Sequence, residues 1–122
     1  MRDLYDSFEI QKKLEEFSRR ATNSILMIDG QTLDMILSNK KLEDRFFLES
    51  TKAPSVCVCR CSPTQKAIIT KKIGIYTGKR TAAIGDGGND VGMILEANVG
   101  IGIVGKEGKQ ASLASDFSID QF

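Results

Sequence analysis

The chain contains no histidine and no tryptophan, only two prolines and three cysteines, and its 17 basic and 16 acidic residues leave a formal charge of +1 over 122 residues. Without histidine it cannot build a Ser-His-Asp or Cys-His centre, or a histidine-ligated metal site, from its own residues. The near-zero charge leaves no global basic field, so nucleic acid is not an expected partner. Two tyrosines and six phenylalanines offer little stacking surface. No apolar run approaches the length of a membrane span and no signal peptide is visible, so the polypeptide is expected to be soluble as it stands. The odd cysteine count argues against a disulfide framework and for a reducing compartment. Cys57, Cys59 and Cys61 alternate along one stretch. C-x-C-x-C lacks the two-residue gap usual between paired zinc ligands and no fourth ligand is evident, so the cysteines are read as small apolar residues of a strand.

What the chain does have is glycine in one telling place. Residues 81–93 read TAAIGDGGNDVGM. Ala82, Ala83 and Ile84 suggest a short buried strand; Gly85, Gly87 and Gly88 turn the chain; Val91, Met93, Ile94 and Leu95 resume with helical spacing. Asp86 then stands at the carboxyl end of a strand and Asp90 near the start of a helix, in the crevice where open α/β sheets bind ligands. Two carboxylates held together repel each other unless a cation lies between them. Magnesium takes oxygen ligands, often one or two carboxylates plus phosphate oxygens. Glycines let backbone amides approach an anion, and the helix start adds partial positive charge. The loop therefore reads as a site for magnesium and a phosphoryl group, the alternative being a glycine turn with two solvated aspartates.

In chain order, Arg2 to Arg20 reads as one amphipathic helix or two short ones, with Leu4, Phe8, Leu14 and Phe17 on its packing face. Ser24–Ile28 is a strand running into an Asp29-Gly30 turn. Gln31–Leu37 is helical, with Thr32 as a possible cap, and Leu42–Glu49 is a second helical piece that ends before Pro54. Ser55–Cys61 is the next strand. Ser62 and Pro63 have the chemistry of a helix cap and first turn, and Gly74 and Gly78 close that helix. Strand Val99–Val104, a turn at Gly105 and Gly108, a helix at Gln110–Ala114 and a strand at Phe117–Ile119 complete the chain. The alternation and short connections predict an α/β fold, a parallel sheet with helices on its faces, in one domain over residues 1–122.

Lys66 falls in the first turn of the helix before the aspartate strand, and adjacent parallel strands would bring it to the same edge. A lysine there can neutralise charge on a phosphoryl group. Arg60, ending its apolar strand, either binds a nucleotide phosphate or caps the sheet. Two further patterns are weaker. Gly100-Ile101-Gly102-Ile103-Val104-Gly105 matches G-x-G-x-x-G, with Asp120 downstream, but its Ile and Val residues make it a strand rather than the turn after one. Asp29 could be imagined as a phosphorylated nucleophile, and a turn aspartate is the simpler reading.

These residues also carry a resemblance. Ala83-Ile84-Gly85-Asp86-Gly87-Gly88-Asn89-Asp90-Val91 resembles the hinge motif of P-type ATPases, a branch of the haloacid dehalogenase-like superfamily. Cys59 to Ala67, CRCSPTQKA, resembles the lysine motif that precedes it. The second glycine of GDGGND, the run Gly100 to Ala111, the closing SDFSIDQF and the stretch Ile28-Asp29-Gly30-Gln31-Thr32-Leu33 are similar to the type IV branch, the phospholipid flippases. The resemblance is close from about Ser24 to Phe122. It implies an incomplete Rossmann-like, haloacid dehalogenase-like fold and a parent enzyme that hydrolyses ATP through an aspartyl-phosphate to move phospholipid. It further implies magnesium on Asp86 and Asp90, catalytic roles for Lys66 and Asp86, and a nucleotide and phosphate site of Arg60, Lys66, Asn89 and Asp90. The parent would be a multi-pass membrane protein with this part on the cytosolic face and a transmembrane accessory subunit. The family's D-K-T-G-T nucleophile and T-G-D motifs are missing here, as are a nucleotide-binding domain and membrane helices. The chain is thus expected to be the carboxyl-terminal part of a phosphorylation domain and inactive alone. The alternatives are a small stand-alone phosphatase using Asp29 or a non-catalytic interaction module.

Overall fold

The computed structural model describes residues 2–20, 23–104 and 109–120. They fold as two compact units, residues 1–61 and 62–122. Both are α/β with parallel strands, in keeping with an incomplete Rossmann-like fold.

The first unit runs α1 (Arg2–Ser18), β1 (Leu26–Asp29), α2 (Gly30–Leu37), α3 (Lys40–Ser50) and β2 (Val56–Cys59). The amino-terminal segment is one helix. Its Leu14 is buried, whereas Phe8 is exposed, so the packing stripe is narrower than its sequence pattern. Strands β1 and β2 pair in parallel, Leu26 beside Val56 through Asp29 beside Cys59. Leu33, Ile36, Leu42, Phe46 and Phe47 are almost wholly buried. The two phenylalanine rings meet edge to face at 5.1 Å, an arrangement that the ring quadrupoles favour.

Two local expectations change. The Asp29-Gly30 pair is not a free turn, and Thr32 is not the cap of α2. Asp29 is the cap: its Oδ1 accepts from the Thr32 amide at 2.7 Å, and Gly30 is already helical. A carboxylate at the cap satisfies an orphan amide and meets the positive end of the helix. The strand containing the cysteines is shorter than expected. Arg60 takes the left-handed conformation, φ 54°, and ends the extended run after Cys59.

The second unit runs α4 (Pro63–Thr77), β3 (Ala82–Gly85), a 3-10 turn (Gly88–Asp90), α5 (Val91–Glu96), β4 (Val99–Ile103), α6 (Gln110–Ala114) and β5 (Phe117–Ile119). Its strands form a parallel sheet in the order β3-β4-β5. Helix α5 packs on β3, β4 and α4, while α6 packs on β4. Ala83, Ile94 and Ala111 form a small core, with Met93, Ala97 and Ala114 against it. The G-x-G-x-x-G run is strand β4 through Ile103, as its residue types predict. Gly74 lies inside α4, and Gly78 alone ends it, with φ 66° and its amide on the Gly74 carbonyl at 2.9 Å. Glycine enters that left-handed region without a Cβ penalty. The turn expected at Gly105 and Gly108 lies outside the described residues.

Candidate functional site

The site is built at the carboxyl end of β3, and its position begins with the start of α4. Ser62 Oγ accepts from the Gln65 amide at 3.1 Å, and Gln65 Oε1 accepts from the Ser62 amide at 2.9 Å. This reciprocal capping box, with Pro63 at the first helical position, fixes where α4 begins. It also sets the place of Lys66 one turn later.

Beyond β3 the chain turns through Asp86 and Gly87 into the 3-10 turn, which hands over to α5 at Val91. Asp90 folds back beneath the strand end. Its Oδ1 accepts from Lys66 Nζ at 2.7 Å and its Oδ2 from the Asp86 amide at 3.1 Å. Gly85 makes room for this: a Cβ there would lie 2.3 Å from the Asp90 Cβ. The Asp90 side chain is only 8% exposed and that of Lys66 27%. The pair is a charge-assisted bond removed from most solvent, which strengthens it.

The structure thus brings Lys66 and Asp90 into direct contact and places the Asp86 backbone against both oxygens' carrier. The Asp86 carboxylate and Asn89 stand exposed on the loop. The lysine that sequence alone would set against a phosphoryl group is, here, bonded to a carboxylate. Arg60 is exposed in the first unit. Gln110 is the residue sequence reasoning missed. Its Oε1 would be 2.7 Å from a Cβ on Gly88, so the start of α6 lies over the glycine turn. No local pattern in the sequence signals that approach, because it depends on how β4 returns the chain.

Burial works to raise the pKa of Asp90, but the Lys66 hydrogen bond, the Asp86 amide, the Lys66 charge and the Gly87 backbone together hold it below the usual carboxylate value. The native state therefore binds this proton less readily than the unfolded chain does. The stabilisation is fully present above the unfolded value, about 4, and is lost as pH falls through the lower native value. Urea midpoints for the second unit should accordingly drop as pH falls below about 4, and Asp90→Asn should flatten that drop. An equally steep acid loss in Asp90→Asn would assign it to other carboxylates.

The donor set suits a hard cation. Asp86 and Asp90 offer carboxylate oxygens, and each oxygen of Asp90 keeps a second lone pair after its present bond. Among the described residues, no three His, Cys, Asp or Glu side chains are gathered closely enough to hold a metal ion. A magnesium ion held by Asp86 and Asp90 would have to take its remaining ligands from water or phosphate. None of the helices among the described residues is long and apolar enough to cross a membrane.

No family model matches the chain. Curated proteins do. It is 55% identical over 107 residues to phospholipid-transporting ATPase NEO1 of Saccharomyces cerevisiae, covering 88% of this chain and 9% of that protein. It is 56% identical over 104 residues to the human probable phospholipid-transporting ATPase IIB, covering 85% of this chain and 9% of that protein. Against probable phospholipid-transporting ATPase 4 of Arabidopsis thaliana the identity is 53% over 97 residues, covering 80% and 8%. The chain thus spans about a tenth of the length of the curated relatives it matches, and it is homologous to one segment of phospholipid-transporting ATPases.

Proposed function

We propose that this chain is the carboxyl-terminal part of the phosphorylation domain of an ATP-driven phospholipid-translocating ATPase. The observation that carries the reading is the 2.7 Å bond from Lys66 to Asp90. It ties the two motifs of the family resemblance, 24 residues apart, into one site at the end of a parallel strand. The similarity to phospholipid-transporting ATPases supports the assignment.

In this reading Asp86 and Asp90 hold magnesium, which when bound neutralises phosphate charge. Asp86 presents its carboxylate from the loop. Asp90 shares its charge between the metal and Lys66. Lys66 directs its ammonium at the phosphoryl oxygens and stabilises the charge that develops there. Asn89 contributes to the nucleotide and phosphate site. The nucleophilic aspartate comes from another part of the parent polypeptide, so the isolated chain does not turn over ATP. The parent carries this part on the cytosolic face of a membrane, acts on phospholipid and works with a transmembrane accessory subunit.

The test compares the isolated chain with the full-length parent. The chain alone should release no phosphate from ATP. The parent should form an acid-stable phosphoenzyme and lose about 100-fold or more of its turnover on Asp86→Asn. Steady phosphate release by the chain alone, or parent turnover indifferent to Asp86→Asn, defeats the proposal.

A further inference from the structure

The positive charge of the chain is gathered in one stretch. Between Glu49 and Asp86 the sequence has seven basic residues and no acidic one, while the remaining residues carry 10 basic and 16 acidic. Four of the seven, Lys71, Lys72, Lys79 and Arg80, fall within ten residues, in the second half of α4 and just beyond it. Lys71, Lys79 and Arg80 line one open depression of about 370 Å³ in the second unit, together with Ile75. We propose that this depression is a docking surface for a bilayer that carries anionic phospholipid.

Local structure fixes the cations in place. Gly78 turns the chain out of α4, and Thr77 Oγ1 accepts from the Lys79 amide at 3.1 Å. On the other side, Asn98 Oδ1 accepts from the Thr81 amide at 2.8 Å, and the Thr81 carbonyl accepts from the amides of Asn98 and Val99. The connection that carries Lys79 and Arg80 is thus pinned at both ends. Lys71 and Ile75 stand four residues apart and share a face of α4. Glu96 is the one acidic residue on the wall of the depression. Among the described residues, none of Lys71, Lys79 and Arg80 makes an ion pair. Helix stabilisation does not account for the whole group. Cations favour the last turn of a helix, where carbonyls point outward. The last turn of α4 holds none, and Lys71 and Lys72 precede it.

Ile75 decides the class of partner. It is 67% exposed among the cations. A membrane surface matches that arrangement: the apolar side chain enters below the phosphates and the long basic side chains stay beside them. A single-stranded nucleic acid would need aromatic side chains to stack its bases, and none lines the depression. A free phosphate would use the cations and leave Ile75 in water. The depression includes Thr81, at the amino end of β3, whereas Asp86 follows the carboxyl end. The docking surface is therefore separate from the aspartate loop and does not depend on the proposed ATPase role.

The test floats the 122-residue chain with vesicles of phosphatidylcholine, alone or with phosphatidylserine, with circular dichroism reporting the fold of each variant. The chain should rise with the anionic vesicles and stay below with the neutral ones. Each cation at such a surface is worth roughly fivefold in partitioning, so Lys71→Gln, Lys79→Gln and Arg80→Gln together should lower it about 100-fold. Lys12→Gln, Lys13→Gln and Arg19→Gln, the same number of charges in the first unit, should lower it less than about fivefold. Ile75→Ser should lower it about fivefold through lost apolar burial. Inorganic phosphate or a single-stranded oligonucleotide at matched ionic strength should not release the chain. Equal flotation with neutral vesicles, equal loss from the two triple variants, indifference to Ile75→Ser, or release by phosphate or oligonucleotide overturns the docking surface.

Discussion

Lys66→Met should cost the second unit about 2–3 kcal/mol. The reason is what it leaves behind. Asp90 would keep its burial and the Asp86 amide at 3.1 Å but lose the ammonium at 2.7 Å. Removing one partner of a fully buried pair costs about 3–5 kcal/mol, and the lower figure here allows for the partial exposure of Lys66. Adding Asp90→Asn to Lys66→Met should return part of the loss, because the stranded charge goes with it. Native-state hydrogen exchange is the suitable measurement, since it reports on amides of residues 62–122 without assuming that both units melt together. A Lys66→Met chain within about 0.5 kcal/mol of the original would mean that the pair is no stronger than a surface ion pair.

The second large effect is steric. A Cβ on Gly102 would lie 2.5 Å from the Ser112 Cα, 2.6 Å from the Ala111 carbonyl oxygen and 2.6 Å from the Ser112 nitrogen. All three are backbone, so no rotamer change relieves them. Helix α6, only five residues long, would have to lift from β4 and uncover Ala111. Gly102→Ala should therefore cost about 3 kcal/mol, the upper end of overpacking effects. Gly92→Ala provides the contrast. Its Cβ would meet the Ala67 Cβ at an ordinary 3.5 Å, within helix α5, so it should stabilise by about 0.5–1 kcal/mol. Thermal or urea unfolding of the two variants should move in opposite directions. The same sign for both would overturn the contrast between the close β4–α6 approach and the open site at Gly92.

Much of this architecture was legible in the residues. Helix α6 and strand β5 fall where the pattern put them, and the Ser62-Pro63 start of α4 needed only its local chemistry. Asp86 and Asp90 likewise take the strand-end and helix-start places that the glycine spacing implies. What the pattern could not supply was tertiary. Alternation places Cys57 and Cys59 on one face but does not say whether anything covers it. Asp29-Gly30 carries both a turn signal and a cap signal, and the helix that follows decides between them. The direct Lys66–Asp90 bond joins residues whose loops were expected to share an edge, yet nothing in either motif said that the lysine would take the carboxylate. The single expected sheet appears as two parallel sheets, one in each unit, because strand pairing depends on neighbours that periodicity does not name.

The place of β3 in its sheet has one more consequence. It stands at the end of the β3-β4-β5 order, and its Ala82-Ala83-Ile84-Gly85 run carries no charge. Natural proteins guard such borders with lysine, proline or a bulge, and none interrupts these four residues. Within the second unit taken by itself, the backbone leading into Asp86 offers its unpaired groups to a further strand.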